Sequence, residues 1–336
     1  MKKVRLGKTG LMVSRVGMGG IPIQRPPFDE AVKIINRALD LEVNFIDTAL
    51  GYGDSEERIG KAITGRRDEV ILTTKGRELK HIDMSLKRLN TDYIDLWQFH
   101  NISSLELLKQ VLGPGGGMKD AKEALRAGKI GHIGISSHTL EVAKKAVTSG
   151  QFETVQFPLN FIAREAADEL VGLARDNDIG FIAMKPFAGG NIRDANLAIK
   201  YLLQFDNVVP DPGIEKVEEI EEIVGIVNGS WEITQKESLK MDEIQSKLGE
   251  RFCRQCMYCM PCPNGVEIWL LMYMRNLHRL WPLEEFLSGW MAEAAESGKN
   301  CVQCGECERK CPYHLPIREM IAENMAFYES VAQRET

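Results

Sequence analysis

A (β/α)8 barrel of the TIM type, followed by a small all-α domain at the C-terminus, is the α/β fold class that the sequence predicts. Short apolar runs alternate with helix-like stretches over about the first 230 residues, as in parallel strands joined by helices. Eight such units in a segment of this length match the size of a barrel. Beyond Asn228-Gly229-Ser230 no further strand candidate follows, and all eight cysteines lie between Cys253 and Cys311.

Eight apolar runs are predicted to be the barrel strands, in chain order 15–19, 44–48, 70–75, 93–100, 130–136, 154–158, 180–185 and 208–210. The helix-like stretches that follow them are 30–41, 55–63, 82–89, 118–127, 140–149, 165–177, 196–205 and 214–227. The first ten residues, with Gly7 and Gly10, are expected to form a hairpin that closes the bottom of the barrel. An open doubly wound sheet is the alternative, but Met18-Gly19-Gly20 is not the glycine-rich turn that such sheets usually carry.

We place the domain boundary near Ser230, so that the barrel takes residues 1–229 and the second domain residues 230–336. In the second domain, helical stretches bracket the two cysteine clusters; they are 237–248, 266–280, 283–295 and 317–328.

Charge and hydropathy exclude some classes of function. The formal net charge of −6 argues against binding of nucleic acid, which normally needs a basic surface. No apolar run is long enough to span a bilayer, and the first ten residues lack the apolar stretch of a signal peptide. We therefore expect a cytoplasmic protein that binds no membrane. In that reducing compartment the cysteines are expected to serve metal or redox chemistry instead of disulfides.

Polar residues end several of the predicted strands, where barrel enzymes place their chemistry. Strand two ends in Asp47 and is followed by Tyr52, strand three ends in Lys75, and strand four ends in His100. A lysine ammonium beside a tyrosine favours the phenolate, a carboxylate keeps that lysine charged, and a histidine orients a carbonyl oxygen. Four such groups together predict an acid–base site, although a single strand-end Asp or His is more often a loop-stabilising group.

The motifs around these residues resemble the aldo-keto reductases over roughly residues 1–228. The matching stretches are Phe45-Ile46-Asp47-Thr48-Ala49, Gly51-Tyr52-Gly53, Ser55-Glu56, Thr74-Lys75 and Tyr93-Ile94-Asp95-Leu96. The resemblance implies an oxidoreductase that moves a hydride between NADP or NAD and a small carbonyl or alcohol substrate. It also implies roles for the four residues: Tyr52 as general acid, Lys75 as the modifier of its pKa, Asp47 as the partner of the lysine, and His100 as the carbonyl-orienting group.

The same resemblance implies a set of nucleotide contacts. Ser136 and Ser137 match the strand-five motif that holds the nicotinamide carboxamide, although the family usually has Asn in place of Ser137, and Gln156 matches the carboxamide-binding glutamine. Met184 takes a position where an aromatic residue often stacks on the nicotinamide. The complete predicted nucleotide-binding set is Gly19, Gly20, Asp47, Ser136, Ser137, Gln156, Met184, Lys185, Pro186, Phe187, Gly213 and Lys216.

The segment after strand eight departs from the family pattern. The family typically has Lys or Arg there to bind the 2′-phosphate of NADP, whereas Glu215 and Glu219 fall near those positions and only Lys216 is cationic. A carboxylate repels a phosphate but can accept a hydrogen bond from a ribose hydroxyl. We therefore hypothesise a weakened preference for NADP, with NAD or no nucleotide as the alternatives.

The eight cysteines form two motifs, Cys253-x2-Cys256-x2-Cys259-x2-Cys262-Pro263 and Cys301-x2-Cys304-x2-Cys307-x3-Cys311-Pro312. The second has the spacing of the bacterial ferredoxin run, in which the fourth cysteine binds the other cluster. We therefore predict two [4Fe–4S] clusters with crossed ligands. Cys253, Cys256, Cys259 and Cys311 hold one cluster, and Cys301, Cys304, Cys307 and Cys262 hold the other. Two four-thiolate zinc sites are the alternative, but zinc requires neither the third cysteine at this spacing nor the Cys-Pro ending.

The helical context of these motifs resembles the α-helical ferredoxin domains of respiratory complexes.

Three functions remain open for the whole chain. It could be an oxidoreductase whose clusters exchange electrons with a ferredoxin-like or other redox protein, or a nicotinamide-dependent reductase with structural or oxygen-sensing clusters. The third is an electron-transfer or scaffold protein whose barrel no longer turns over nicotinamide. Because a nicotinamide gives up a hydride and a cluster takes one electron, direct exchange needs a converter such as a flavin, and no flavin fingerprint is found in the sequence. We expect Phe28, Trp97 and the loop around 105–118 to shape the substrate pocket.

Overall fold

The computed structural model describes residues 1–334 and divides into two compact units, the first over Met1–Met241 and the second from Asp242 onward. In the first unit, a two-stranded antiparallel hairpin precedes eight parallel strands. The hairpin strands are β1 Lys3–Arg5 and β2 Met12–Ser14. The parallel strands are β3 Met18–Gly19, β4 Phe45–Asp47, β5 Ile71–Gly76, β6 Ile94–Phe99, β7 Ile130–Ser136, β8 Thr154–Pro158, β9 Gly180–Met184 and β10 Val208–Asp211.

Helices cover the outside of these strands. They are α1 Phe28–Asp40, α2 Ser55–Ala62, α3 Leu79–Arg88, α4 Leu105–Leu112, α5 Gly117–Arg126, α6 Leu140–Thr148, α7 Gly172–Asp176, α8 Ala195–Leu203 and α9 Val217–Asn228. A π-helical turn, Ala167–Val171, leads directly into α7. The next helix, α10 Gln235–Gly249, continues past the end of the first unit.

The eight strands pair in chain order and close into a barrel. Each strand from β3 to β10 pairs in parallel with the next, and the ring closes where Gly19 forms a parallel bridge with Gly213. At this seam the Gly19 amide donates to the Pro212 carbonyl over 2.7 Å. The (β/α)8 barrel expected from the strand–helix alternation is confirmed.

Alternate residues of each strand face different cores, because strand side chains have a period of two. Leu6 and Val13 of the hairpin segment pack with Phe45, Leu96 and Ile182 in a core at one end of the barrel interior. The hairpin therefore lies at the bottom of the barrel, as the sequence predicts.

Trp97, next to Leu96 on β6, belongs to the large core between strands and helices. The expectation that Trp97 shapes the pocket is wrong, because its position in the strand alternation turns the side chain out of the barrel. The expected pocket loop around 105–118 also contains a helix, α4, which begins where the Ser104 hydroxyl accepts from the Leu107 amide.

In the second unit the helices surround an apolar core built largely from α11, α13 and α15. The helices after α10 are α11 Ile268–Leu280, α12 Leu283–Phe286, α13 Gly289–Gly298, α14 Glu306–Lys310 and α15 Ile317–Ala332. The side chain of Asn324 on α15 donates to the Leu271 carbonyl of α11 over 2.9 Å. The stretch predicted as one helix over 283–295 is two helices, because Gly289 adopts a positive φ of 53° at the break. Within the described residues, no helix has both the length and the apolar character that crossing a membrane requires.

Candidate functional site

A buried ion pair lies at the top of the barrel. Asp47 ends β4 and Lys75 lies on β5, and their side chains are 3% and 2% exposed. The Lys75 ammonium donates to Asp47 Oδ2 and to the Thr48 carbonyl over 2.8 Å. Burial lowers the pKa of Lys75, but the neighbouring Asp47, Tyr52 and Asp211, with the hydrogen bond to Asp47, outweigh burial and raise the pKa above its usual value. Lys75 is therefore a fixed cation.

Tyr52 and His100 lie next to this pair. Their rings meet edge to face, with centroids 5.7 Å apart, and the Lys75 ammonium is 5.2 Å from the centre of the Tyr52 ring. Burial raises the pKa of Tyr52, and Lys75 opposes that rise without cancelling it. Burial, with Lys75 and Arg77 nearby, lowers the pKa of His100 to about 3. At neutral pH the site thus presents a protonated phenol and a neutral imidazole.

The structure therefore brings together the four strand-end residues that the sequence analysis selected. A protonated Tyr52 can donate a proton to an oxygen atom, and a cation beside it stabilises the phenolate that remains. The neutral imidazole of His100 can donate or accept one hydrogen bond at the same oxygen. The arrangement is suited to proton transfer at a carbonyl or alcohol oxygen.

A second carboxyl group, Asp211, lies beneath the ion pair. Asp211 ends β10 and is 5% exposed. The Gln156 amide nitrogen donates both to Asp47 Oδ2 over 3.1 Å and to Asp211 Oδ2 over 3.0 Å. Gln98 donates to the Gln156 side-chain oxygen over 3.1 Å. Gln156 is thus held inside the barrel by both carboxyl groups.

The two serines expected to hold the nicotinamide carboxamide are buried and already bonded. Ser136 donates to the Phe99 carbonyl over 3.3 Å and accepts from the Asn101 amide over 2.9 Å. Ser137 donates to the Ile102 carbonyl over 2.7 Å and accepts from the Thr139 amide over 3.1 Å. Because a hydroxyl has two lone pairs, each serine keeps one for a further donor such as a carboxamide NH2.

The predicted glycine contacts are engaged in closing the barrel. Gly19 and Gly213 form the seam, and the Gly20 amide donates to the Asp47 carbonyl over 2.6 Å. A Cβ at Gly20 would lie 2.8 Å from that carbonyl oxygen, so a side chain at this position would displace the loop beside the ion pair.

The stretch after β9 forms a tight turn at the same end of the barrel. Met184 and Lys185 are partly buried, and Lys185 has a positive φ of 58°. The side-chain amide of Asn160 donates a hydrogen bond to the Lys185 carbonyl over 3.1 Å. Pro186 is buried and Phe187 partly buried in the turn that follows.

The start of α9 carries its own carboxylate. One oxygen of Glu219, Oε2, accepts hydrogen bonds from the Glu215 amide over 2.8 Å and from the Lys216 amide over 3.2 Å. The Glu215 side chain pairs with Arg25 at 2.9 Å. Burial and the neighbouring Glu215 carboxylate raise the pKa of Glu219. The amides of Glu215 and Lys216 lie at a helix N-terminus, where anions bind favourably. Because both amides donate to Glu219, they are already bonded to an acidic side chain of the protein.

Two further polar residues lie at the site, Asp211 and His138, and neither is among the residues predicted from the sequence. Asp211 directly follows the last predicted strand, 208–210, and His138 lies just after the predicted strand 130–136. His138 interacts with Asn101 Oδ1 over 3.1 Å, and burial, Lys185 and His100 together lower the pKa of His138. A strand-end position was the available signal for Asp211, while His138 lies two residues past its strand and carries no such signal. His132, by contrast, pairs with Glu153 at 2.8 Å.

The cysteines of the second unit line two cavities of similar size. One is lined by Cys253, Cys256, Cys259 and Cys311. The other is lined by Cys259, Cys262, Cys301, Cys304 and Cys307. Cys262 thus lies among the cysteines of the second motif, Cys311 among those of the first, and Cys259 borders both.

The two motifs follow the same backbone path. In each, the residues on both sides of the second cysteine have positive φ: Gln255 and Met257 in the first motif, Gln303 and Gly305 in the second. Such left-handed residues reverse the chain locally, so that successive cysteines turn toward one cavity. The donor set, four thiolates for each cavity, suits iron–sulfur clusters.

A parallel barrel with a buried Lys–Asp pair, a phenol and an imidazole at its top belongs to the class of barrel oxidoreductases. The aldo/keto reductase family model matches residues 15–197, and the chain belongs to the aldo/keto reductase family. A 4Fe-4S dicluster domain model matches residues 252–316. The resemblance stated from the strand-end motifs and the cysteine spacing is confirmed.

Curated relatives agree with this assignment. The chain is 34% identical over 204 residues to the aldo-keto reductase YhdN of Bacillus subtilis, an alignment that covers 53% of this chain and 60% of the relative. It is 31% identical over 226 residues to the oxidoreductase YrpG of the same organism, covering 56% of this chain and 68% of the relative. The chain therefore spans about three fifths of the first relative's length.

Solved structures show the same fold. The aldo-keto reductase AKR11C1 of Bacillus halodurans, in its holo form, superposes with a TM-score of 0.63 at 23% identity, over 73% of this chain and 96% of that one. An aldo/keto reductase from Klebsiella pneumoniae in complex with NADP and acetate gives the same TM-score at 20% identity, over 73% and 95% of the two chains.

Proposed function

We propose that the barrel catalyses hydride transfer between a nicotinamide nucleotide and a small carbonyl or alcohol, and that two [4Fe–4S] clusters in the second unit exchange electrons with a redox protein. The observation that carries the barrel's part is the convergence of the buried Lys75–Asp47 pair with Tyr52 and His100 at the strand ends.

The residues of the chain have separate tasks in this reaction. In carbonyl reduction, Tyr52 gives its proton to the substrate oxygen and Lys75 stabilises the phenolate left behind. Asp47 keeps Lys75 charged and in place. His100, neutral because its pKa is about 3, orients the substrate oxygen. The bound nicotinamide supplies or accepts the hydride, and Ser136, Ser137 and the turn after β9 would hold it at the strand ends.

For the nucleotide we propose NAD or a weakened preference for NADP. The support comes from the start of α9, where the Glu219 carboxylate occupies the two amides, while the Glu215 carboxylate is paired with Arg25. A 2′-phosphate placed there would meet negative charge, whereas a ribose hydroxyl could donate to a carboxylate oxygen. The complex of the Klebsiella reductase holds NADP, so this chain would differ from it in affinity for the phosphate.

For the clusters we propose crossed ligation, with Cys253, Cys256, Cys259 and Cys311 on one and Cys262, Cys301, Cys304 and Cys307 on the other. The lining of the two cavities supports this assignment. Cys304 is exposed, and electron exchange with a second protein needs a cluster close to the surface. When bound, a cluster supplies one-electron chemistry; the part of the chain is to hold it and to set its access.

The test is anaerobic oxidation of NADH and NADPH by the complete chain, with a panel of aldehydes and ketones, before and after the clusters are removed. We expect carbonyl-dependent oxidation that Tyr52→Phe abolishes. Oxidation that is independent of a carbonyl and survives in Tyr52→Phe would contradict the barrel's part. Reduction of the clusters by a low-potential ferredoxin, followed as bleaching of their visible absorption, tests the other part.

A further inference from the structure

Two carboxyl groups share one buried cation at the top of the barrel. Asp47 and Asp211 are each at most 5% exposed and both accept a hydrogen bond from the same Gln156 amide nitrogen, over 3.1 and 3.0 Å. The charged groups that face Asp211 are Asp47 on β4 and Lys75 on β5, with the phenol of Tyr52 on the loop after β4. If both carboxyl groups were ionised, this buried site would carry one uncompensated negative charge, which is costly in a low-dielectric interior.

The two carboxyl groups differ in the hydrogen bonds that they accept, which indicates different protonation states. Asp47 accepts from Lys75 and from Gln156 on Oδ2, and from Gln98 on Oδ1 over 3.4 Å. Asp211 accepts only from Gln156, on Oδ2, and its Oδ1 is buried with no donor among the described residues. A carboxylate oxygen buried without a donor is unfavourable, but a protonated Oδ1 would itself be a donor and could bond to Asp47.

Gly17 lies beside the Asp211 carboxyl group and leaves space for it because glycine has no side chain. A Cβ on Gly17 would lie 2.6 Å from the Phe45 ring and 3.2 Å from Asp211 Oδ1, so a larger residue at position 17 would press on both side chains. The Gly17 amide donates to the Pro210 carbonyl over 2.8 Å, which fixes the strand that carries Asp211.

We propose that Asp211 is held as a neutral carboxylic acid that donates its proton to Asp47 and thereby positions the Asp47–Lys75 pair beneath Tyr52. Asp211 acts through Asp47 and is a positioning residue. As a neutral acid it adds a hydrogen bond to Asp47 without adding a charge, so the site stays neutral overall with one ammonium, one carboxylate and one acid. Burial and the charge of Asp47 raise the pKa of Asp211 well above its usual value, which agrees with the geometry. The effect on catalysis rests on the proposed function; the protonation state does not.

The first test is infrared spectroscopy of the complete chain at neutral pH, with aspartate labelled by ¹³C at the side-chain carboxyl. We expect the carbonyl band of a protonated acid that shifts with the aspartate label and with exchange into D2O, and that is absent from Asp211→Asn. The matched control is Asp92→Asn, an exposed aspartate, which should keep the band. The label also separates Asp211 from Glu56 and Glu219, whose pKa values burial raises.

Absence of a label-sensitive acid band from the folded wild type would overturn the proposal, and this result needs no variant to fold. A band that persists in Asp211→Asn would assign the proton to another aspartate and would also overturn it. Neither outcome depends on whether the barrel turns over a carbonyl.

The second test is the pH profile of the carbonyl-dependent rate. Asn has the shape and zero charge of the neutral acid, so the alkaline limb of Asp211→Asn should coincide with that of the wild type. Asp211→Ala, which leaves Asp47 without this donor, should lose about tenfold in kcat/KM. Since an ionised Asp211 would raise the pKa of Tyr52, an alkaline limb that moves to lower pH in Asp211→Asn would mean that the wild type carries the anion.

Discussion

The proposed chemistry needs the hydroxyl of Tyr52, and the packing against His100 needs its ring. Tyr52→Phe keeps the edge-to-face contact with His100 but removes the proton donor. We expect the carbonyl-dependent rate to fall by about 10²- to 10⁴-fold, the usual contribution of a positioned general acid, with nucleotide affinity unchanged. Steady-state rates and a fluorescence titration measure the two quantities.

Tyr93→Phe is the matched control, because Tyr93 is an exposed tyrosine at the start of β6. It should keep the wild-type rate. Equal rates in Tyr52→Phe and Tyr93→Phe would remove Tyr52 from the mechanism.

The pH dependence of the tetrad follows from two shifts of opposite direction. His100, with a pKa of about 3, stays neutral as pH falls until well below its usual titration range, and Tyr52, with a raised pKa, stays protonated as pH rises beyond 10. The tetrad should therefore give a flat profile of kcat/KM between about pH 5 and pH 9. An acid limb near the usual histidine pKa of about 6.5 that disappears in His100→Gln would show that His100 titrates in the free enzyme.

At the residue scale, the sequence predicts the tetrad because each member ends an apolar run and the carboxyl ends of parallel strands meet. It does not predict that Gln156 binds both Asp47 and Asp211, since that depends on which atoms face each other across the barrel. For the same reason the pKa of Tyr52 could not be predicted: an adjacent lysine suggested a lowered value, and burial reverses the direction.

Among the elements, the start of α9 is where we propose that the chain binds the ribose end of a nucleotide. Glu219 takes the amides of Glu215 and Lys216. Glu219→Gln keeps an oxygen that can accept those hydrogen bonds but removes the charge. We expect the affinity for NADPH to rise about three- to tenfold, consistent with the loss of one repulsion of order 1 kcal/mol, and the affinity for NADH to stay the same.

Glu222→Gln, on an exposed position of the same helix, removes the same charge away from the helix start and should change neither affinity. A gain for NADPH in both variants would point to the net charge of the chain and not to the site at α9.

Element types were predictable from apolar periodicity, and their ends were set by local hydrogen bonds. β7 and β8 have the predicted bounds because short segments rich in apolar and β-branched residues, lying between helical stretches, indicate strands. α4 was missed because the glycine-rich run that follows it reads as loop, whereas the Ser104 cap starts a helix before it. The break between α12 and α13 depends on the positive φ of Gly289, which an isolated glycine in a helical pattern signals only weakly.

At the scale of the whole molecule, the chain combines an aldo/keto reductase barrel with a dicluster domain, each with its own core. The cysteine spacing alone predicts that the fourth cysteine of each motif serves the other cluster. The cavities agree in placing Cys262 beside Cys301, Cys304 and Cys307 and Cys311 beside Cys253 and Cys256. Crossed ligation would join the two motifs, which are about 40 residues apart in sequence, into one cooperative unit.

Cys256 and Cys262 lie six residues apart in one motif, so crossed ligation predicts that their loss affects different clusters. Cys262→Ser should alter the same electron paramagnetic resonance signal as Cys304→Ser, whereas Cys256→Ser should alter the signal that Cys311→Ser alters. The physical reason is that Cys262 borders the cavity lined by the second motif, and Cys256 borders the other. Iron and sulfide analysis of each variant measures how much iron and sulfide remains bound.

Cys259 borders both cavities and is left out of the comparison. If Cys262→Ser and Cys256→Ser gave one shared signature that differs from that of Cys304→Ser, each motif would hold its own cluster, and the crossed arrangement would be wrong.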